Sequence, residues 1–265
     1  MAGKDKNYTL GKGRVYFEQF AEGQTVSTGA EDYLSQTTDF SFNVKATTLD
    51  HFDGDAGLKV LDEEVTTQID VTGKFATDDM SMRKTSLFLL ADGVTETTVT
   101  SATGATSTFA KVVPGQFLQV GISAGQPTGA RNITVTKVAT VAAPTVALVV
   151  NTDYTVDTVL GRVQMTDTTT AVDADGSDGI IVTYSVTAGT REQVISKDSQ
   201  VRGALRFVSA NPIGDQRDYY FPLVNLVPDG DYALKGDDWQ KMGFNFTTLK
   251  LGTLERVYID GRAAA

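Results

Sequence analysis

Residues 37–71 read "TTDFSFNVKATTLDHFDGDAGLKVLDEEVTTQIDV". At its start, Phe40, Phe42, Val44 and Ala46 alternate with Asp39, Ser41, Asn43 and Lys45. Past Val65 the alternation returns: Val65, Ile69, Val71 and Phe75 share one face. Thr66, Gln68, Asp70, Thr72 and Lys74 share the other. A period of two with one apolar face predicts strands that set one side on a core and the other in water. Between the strands, residues 49–61 read as a loop that is long for a hairpin. It and the residues just beyond carry Asp50, Asp53, Asp55, Asp62, Glu63 and Glu64 beside Leu49, Phe52, Leu58, Val60 and Leu61. So many apolar residues are unusual in a disordered linker. The burial they offer is of the same order as the entropy of ordering them, so the segment gains from a second surface. Either it folds back over its own sheet or it rests on a neighbouring subunit.

Downstream, "TDDMSMRKTSLFLLADG" (77–93) has helical spacing at Met80, Lys84, Leu87 and Ala91. Thr77 or Asp78 can cap it, Asp78 and Asp79 suit its positive end, and Gly93 can stop it. A helix at about 78–92 covering a sheet is expected. Composition then shifts. Residues 94–190 hold 11 of the chain's 56 charged residues, and their aromatics are Phe109, Phe117, Tyr154 and Tyr184. "PGQFLQVGISAGQPTGA", "RNITVTKV", "TVALVV", "DYTVDTVLGRVQM" and "GIIVTYSV" read as strands there. Gly161 and "DADGSDG" (173–179) read as hairpin turns. Aromatic strands return in "GALRFVSANP", "RDYYFPLVNLV", "WQKMGFNFTTLKL" and "RVYID", followed by "GRAAA", which reads as a loose tail. The organisation is a core in two parts, 1–93 and 191–265, with a β-rich segment at 94–190 inserted between them.

Composition narrows the chemistry. The 265 residues carry a formal charge of −10, and no cysteine, so disulfides, thiol catalysis and cysteine-based zinc sites are excluded. Thr, Val and Ile supply 74 residues, a bias toward strands. The acidic balance opposes tight non-specific binding of nucleic acid. The polar start "MAGKDKNYTL" has no apolar leader segment, and no run is long enough to span a bilayer, so a cytosolic product without a membrane partner is expected. His51 is the single histidine, and any Ser-His-Asp arrangement would have to use it. It sits in the acidic loop with no nucleophile elbow nearby and reads as a surface or interface residue. "DADGSDG" has part of a calcium loop, but Asp178 stands where that pattern needs Gly and Tyr184 where it needs Glu. "GKG" (11–13) lacks the spacing and following helix of a phosphate loop. No catalytic, cofactor-binding or metal-binding residue is assigned, and no enzyme activity is expected.

"GKGRVYFEQF" (11–20) and "TTDFSFNVKATTLDHFDGDAGLKVLDEEVTTQIDVTGKF" (37–75) resemble the tail tube proteins, or major tail proteins, of long-tailed bacteriophages. "DYTVDTVLGRVQM" (153–165) with "GIIVTYSVTAGTREQV" (179–194) resembles a later stretch of the same proteins. Together these cover about half the chain. The resemblance implies an all-β fold, a β-sandwich or barrel-like core with one flanking helix. Subunits of that family close into hexameric rings that stack into a tube and conduct DNA during ejection. Carried over, the inter-ring loop comprises Leu49, Asp50, His51, Phe52, Asp53, Asp55, Leu58 and Lys59. The lumen face comprises Asp39, Ser41, Asn43, Lys45, Gln68, Asp70 and Thr72. The implied partners are further copies of the chain, the tape measure protein, and the tail tip and head-proximal tail proteins, with DNA passing without specific binding. The implied location is the virion tail, assembled in the host cytoplasm, and no cofactor is implied. The alternatives are a β-sandwich surface-binding module or adhesin, and a glycoside hydrolase with paired carboxylates.

Overall fold

A computed structural model of the chain describes residues 8–24, 26–55 and 57–262. Sixteen strands and one helix occur among them. In chain order these are β1 (Gly13–Gln19), β2 (Asp32–Leu34), β3 (Thr37–Asp53), β4 (Val60–Thr77), α1 (Met82–Phe88) and β5 (Thr95–Val99). There follow β6 (Ala102–Phe109), β7 (Phe117–Gln119), β8 (Ile133–Thr140), β9 (Tyr154–Asp157), β10 (Arg162–Met165), β11 (Ile180–Val186) and β12 (Gly189–Gln193). The last four are β13 (Val201–Ser209), β14 (Arg217–Asp229), β15 (Met242–Thr248) and β16 (Tyr258–Gly261). The chain is nearly all β with a single helix. It forms two compact units: Glu96–Arg191, and the residues on either side of that segment.

The discontinuous unit is built on one eight-stranded antiparallel sheet, ordered β2-β1-β13-β14-β15-β4-β3, with β16 on the side of β14. The sheet curls onto itself. Phe40 on the edge strand β3 has its ring 5.1 Å from Phe207 on β13 and 5.6 Å from Phe246 on β15. Pro222 explains part of this shape. β14 pairs with β16 through Arg217–Tyr220 and with β15 through Val224–Asp229. Between those stretches lies buried Pro222, which has no N–H to donate. The β13 register also skips here, from Gly203↔Val224 to Leu205↔Phe221. A proline at a bulge lets one strand bend and change partners. The enclosed core is rich in rings: Phe17, Phe75, Phe221, Phe244 and Phe246 are buried together with Leu205, Leu226 and Met242.

The helix covers this core through Leu87 and Phe88, but it is shorter than expected. It spans seven residues with Ser81 at its N-cap, and its first turn has no acidic residue. Thr77 instead closes β4. Its hydroxyl donates to Ser35 O at 2.8 Å and accepts the Asp79 N–H at 3.2 Å. Asp79 accepts the Ser81 N–H at 3.0 Å and pairs with the buried Lys84 and with Ser35. Those hydrogen bonds, from Lys84 first and Ser35 second, hold the Asp79 pKa at about 2. At the other end Leu90 adopts φ 54°, ending the helix before Gly93.

The continuous unit comprises two three-stranded antiparallel sheets, β7-β10-β9 and β6-β11-β8. They share one core containing Leu118, Val138, Tyr154, Val163, Met165, Ile180 and Val182. The expected 94–190 segment falls on this unit. Gly161, at φ 67°, turns the β9–β10 hairpin. Two expectations are corrected. "DADGSDG" is not a hairpin turn: it links β10 to β11, which lie in different sheets. "TVALVV" (145–150) is not a strand. Leu148 donates to Val138 O and packs on the core, while Val146, Val149 and Val150 are exposed. Valines favour strands only where a ladder exists to join. At the chain's end, "GRAAA" is not wholly loose. Gly261 closes β16 and Arg262 pairs with Asp218, while Ala263–Ala265 lie outside the described residues.

Candidate functional site

The β3–β4 hairpin is the most unusual element of the molecule. Its pairing runs from Thr37↔Thr77 to Asp53↔Val60. Strands of 17 and 18 residues far exceed the usual length of about 5–6. β15 pairs with β4 only over Thr72–Thr77, so beyond Val71 the hairpin is a two-stranded arm. The expected loop at 49–61 is therefore mostly strand, with β3 running to Asp53 and β4 starting at Val60. Tight cross-strand bonding lets the arm extend without a sheet beneath it.

The arm does not fold over its own sheet. Leu49 is 68% exposed and Leu58 77%, and Phe52, Val60, Leu61 and Val65 are exposed as well. Register shifts after Thr47↔Gln68 and His51↔Glu63 leave Thr67 and Asp62 as extra residues on β4. The first shift brings Leu49 opposite Val65; the second brings Phe52 opposite Leu61. Apolar pairs thus survive along an arm whose sequence loses simple alternation. Charge is concentrated at the same place. Residues 49–65 contain six carboxylates and one lysine, a net charge of −5 with His51 neutral. Asp50 lies opposite Glu64, a like-charged pair that disfavours the isolated hairpin.

His51 Nδ1 lies 2.6 Å from Asp62 Oδ1, an exposed pair that braces the second bulge. Asp55 N–H donates to Asp53 Oδ1 at 2.9 Å and tightens the turn, and Lys59 stands just before β4. No group of three or more His, Cys, Asp or Glu side chains able to hold a metal occurs among the described residues. In "DADGSDG" the carboxylates serve the turn. Asp178 accepts the Asp173 N–H, and Asp175 accepts from Ser177, whose hydroxyl and then amide hold the Asp175 pKa below the usual range. At "GKG", a Cβ on Gly13 would sit 2.3 Å from the Phe207 ring, so that glycine serves close packing.

The residues assigned to a lumen face do share one face. Cross-strand partners continue it onto strands that alternation in 37–75 could not name. One row reads Asn43–Thr72–Thr247–Asn225–Arg202 across β3, β4, β15, β14 and β13. Beside it run Ser41–Lys74–Asn245–Val227, where Val227 is an exposed apolar exception, and Lys45–Asp70. Gln68 lies opposite Thr47 and donates to both Asp70 carboxylate oxygens, at 2.9 and 2.7 Å. Asp39 belongs to the row Asp39–Ala76–Gly243–Asp229, the last that spans four strands. Asp39, Asp70 and Asp229 are matched by Lys45, Lys74 and Arg202, so this face is polar and charge-balanced rather than acidic. Asn245 and Thr247 could have been found from "FNFTT", in which Phe244 and Phe246 point inward.

Among the described residues β3 is also the outermost strand of its sheet, paired only with β4. An edge of that length offers a row of unpaired N–H and C=O groups to another chain. No helix among the described residues is long and apolar enough to cross a membrane.

Residues 8–250 match the family model described as "Protein of unknown function UCP028589". The chain belongs to that family. A search of curated proteins finds no match.

Proposed function

We propose that this protein is a structural virion subunit of the tail tube type, which self-assembles into stacked hexameric rings around a DNA-conducting channel. The observation that carries this proposal is the β3–β4 hairpin. A long unpaired edge continues into an arm that exposes apolar side chains on a two-stranded stem. An isolated two-stranded hairpin is marginal in water, so such an arm gains from docking on another subunit. Many identical contacts in an array add avidity to a weak one. The polar, charge-balanced face of the same sheet suits a channel wall past which DNA moves without being held, because it offers no excess of cations to exchange with phosphate counterions. The tape measure protein would occupy the channel before DNA, and tail tip and head-proximal proteins would close its ends.

Negative-stain microscopy and sedimentation of the purified chain test this proposal. Rings or tubes with a central channel are expected to form with rising concentration. Replacing Asp50–Lys59 by a short Gly-Ser turn should leave the core folded and stop tube growth. A chain that stays monomeric at high concentration and is absent from purified virion tails would refute the assignment.

A further inference from the structure

Large apolar side chains are exposed on the arm and also at the opposite end of the same sheet. Asp229, Gly243, Ala76 and Asp39 form the last cross-strand row at that end that reaches β14. The arm turns back after Asp53, fourteen residues further along β3, or roughly 46 Å at about 3.3 Å per residue. Past this row comes the β14–β15 connection, residues 230–241. Within it Trp239, the chain's one tryptophan, is 86% exposed, and Leu234 is 76% exposed. The connection is nonetheless anchored, because Tyr232 packs on the core with its ring 5.6 Å from that of Phe88. A tethered loop holding a bare tryptophan in water has the character of an unfilled contact, since Trp is the residue most enriched at binding hot spots.

We propose that this loop, centred on Trp239 and Leu234, is the docking site for the arm tip of the next copy of the chain. The proposal rests on the stacking role given to the arm above and specifies where that arm lands. Tip-to-tip contact is disfavoured by charge, because each tip carries −5. Residues 230–241 carry Asp231, Asp237 and Asp238 against Lys235 and Lys241, a net −1, with two lysines available to the tip carboxylates. Apolar complementarity points the same way, with Phe52, Leu58 and Leu61 facing Trp239 and Leu234. Because tip and loop are different surfaces at opposite ends of one sheet, the contact is heterologous. A copy that has engaged one neighbour still offers its other end, so such a contact propagates.

Trp239 reports on its own burial. Assembly of the wild-type chain should shift tryptophan emission to the blue and slow acrylamide quenching several-fold. The Asp50–Lys59 replacement should show neither change. Trp239→Ala should keep the monomer's melting temperature and raise the concentration needed for assembly at least tenfold. Mixing Trp239→Ala with the arm replacement should give stable pairs that do not grow, because one supplies the arm and the other the loop. Arm-dependent assemblies with unchanged tryptophan emission, or assembly of Trp239→Ala at the wild-type concentration, would overturn this docking site and leave the tube assignment standing. Absence of any assembly in the wild type would overturn that assignment and the docking site with it.

Discussion

Phe75 and Leu61 lie fourteen residues apart on the same strand, yet Phe75 is 1% exposed and Leu61 46%. Both belong to a β3–β4 ladder that runs unbroken except for bulges. What differs is the third strand. Near Phe75, β15 pairs with β4, and the curled sheet brings Phe40, Phe244 and Phe246 around it. Near Leu61 the hairpin has no further strand on either side among the described residues. A ladder secures backbone hydrogen bonds, but burial needs a second layer. The base of the hairpin is therefore part of a fold, whereas its arm leaves apolar side chains exposed.

Truncation should separate the two regions most sharply. Phe75→Ala removes a ring from a filled core and should cost about 3–5 kcal/mol. Leu61→Ala should change monomer stability by less than about 0.5 kcal/mol. Urea denaturation of the two variants checks the contrast; equal losses would mean that the arm is packed in the monomer.

Acid should act on the folded sheet, and not on the arm, through two carboxylates. Burial of Glu18 pushes its pKa up, but hydrogen bonds from Ser27, Thr28 and Gly29 outweigh this and hold it at about 2, against 4.5 for a free glutamate. Asp79 is likewise held at about 2, against 3.8. A folded-state pKa below the unfolded value gives stability that is complete above the unfolded pKa and lost as pH falls through the folded one. Each carboxylate should therefore contribute about 2–3 kcal/mol above pH 4.5 that disappears toward pH 2. Glu18→Gln should lower stability at neutral pH by about that amount and flatten the acid limb of the stability profile. An unchanged profile would show that the loop it holds is not coupled to folding.

Glycines offer a finer comparison. A Cβ on Gly73 would lie 2.3 Å from the Phe246 ring and 2.5 Å from Ser41 O, whereas one on Gly57 meets nothing within 4 Å. Gly73→Ala should cost about 1–3 kcal/mol by overpacking. Gly57→Ala should be close to neutral, and thermal melts would distinguish them.

The smallest effect on folding, with the largest contrast in function, is expected on the polar face. Asp70→Lys sets a lysine opposite Lys45 and should cost about 0.5 kcal/mol. Combined with Asp39→Lys, it turns a balanced face positive by four charges. Under the proposed tube assignment, ejection rates from virions with intact mutant tails should fall, and most at low salt, because exposed charges are screened beyond about 8 Å at physiological ionic strength. Wild-type rates at every salt concentration would show that this face does not govern passage.

Much of the architecture was legible in residue order. Alternation around Phe40 and Phe75 marked strands with a single buried face, because side chains on a strand change sides at every residue. The drop in charge after residue 93 marked the second unit, because a separate small core needs its own run of apolar strands. Local chemistry misled where tertiary partners decide. "TVALVV" had the propensity for a strand but made one bond to Val138. The helix lost its first turn because Thr77 is held in β4 by pairing with Thr37 and Met242. The acidic, apolar segment at 49–61 was recognisable as unlike a disordered linker. That it stands as a paired arm depends on bulges at Thr67 and Asp62, which only the ladder can create. That Asn245, Thr247, Asn225 and Arg202 extend the polar face depends on which strands lie beside β4, and that Trp239 sits at the end opposite the arm depends on the same order. Residue order determined which side chains share a face of each strand. The folded sheet alone decided which strands are neighbours, because pairing joins residues separated by most of the chain's length.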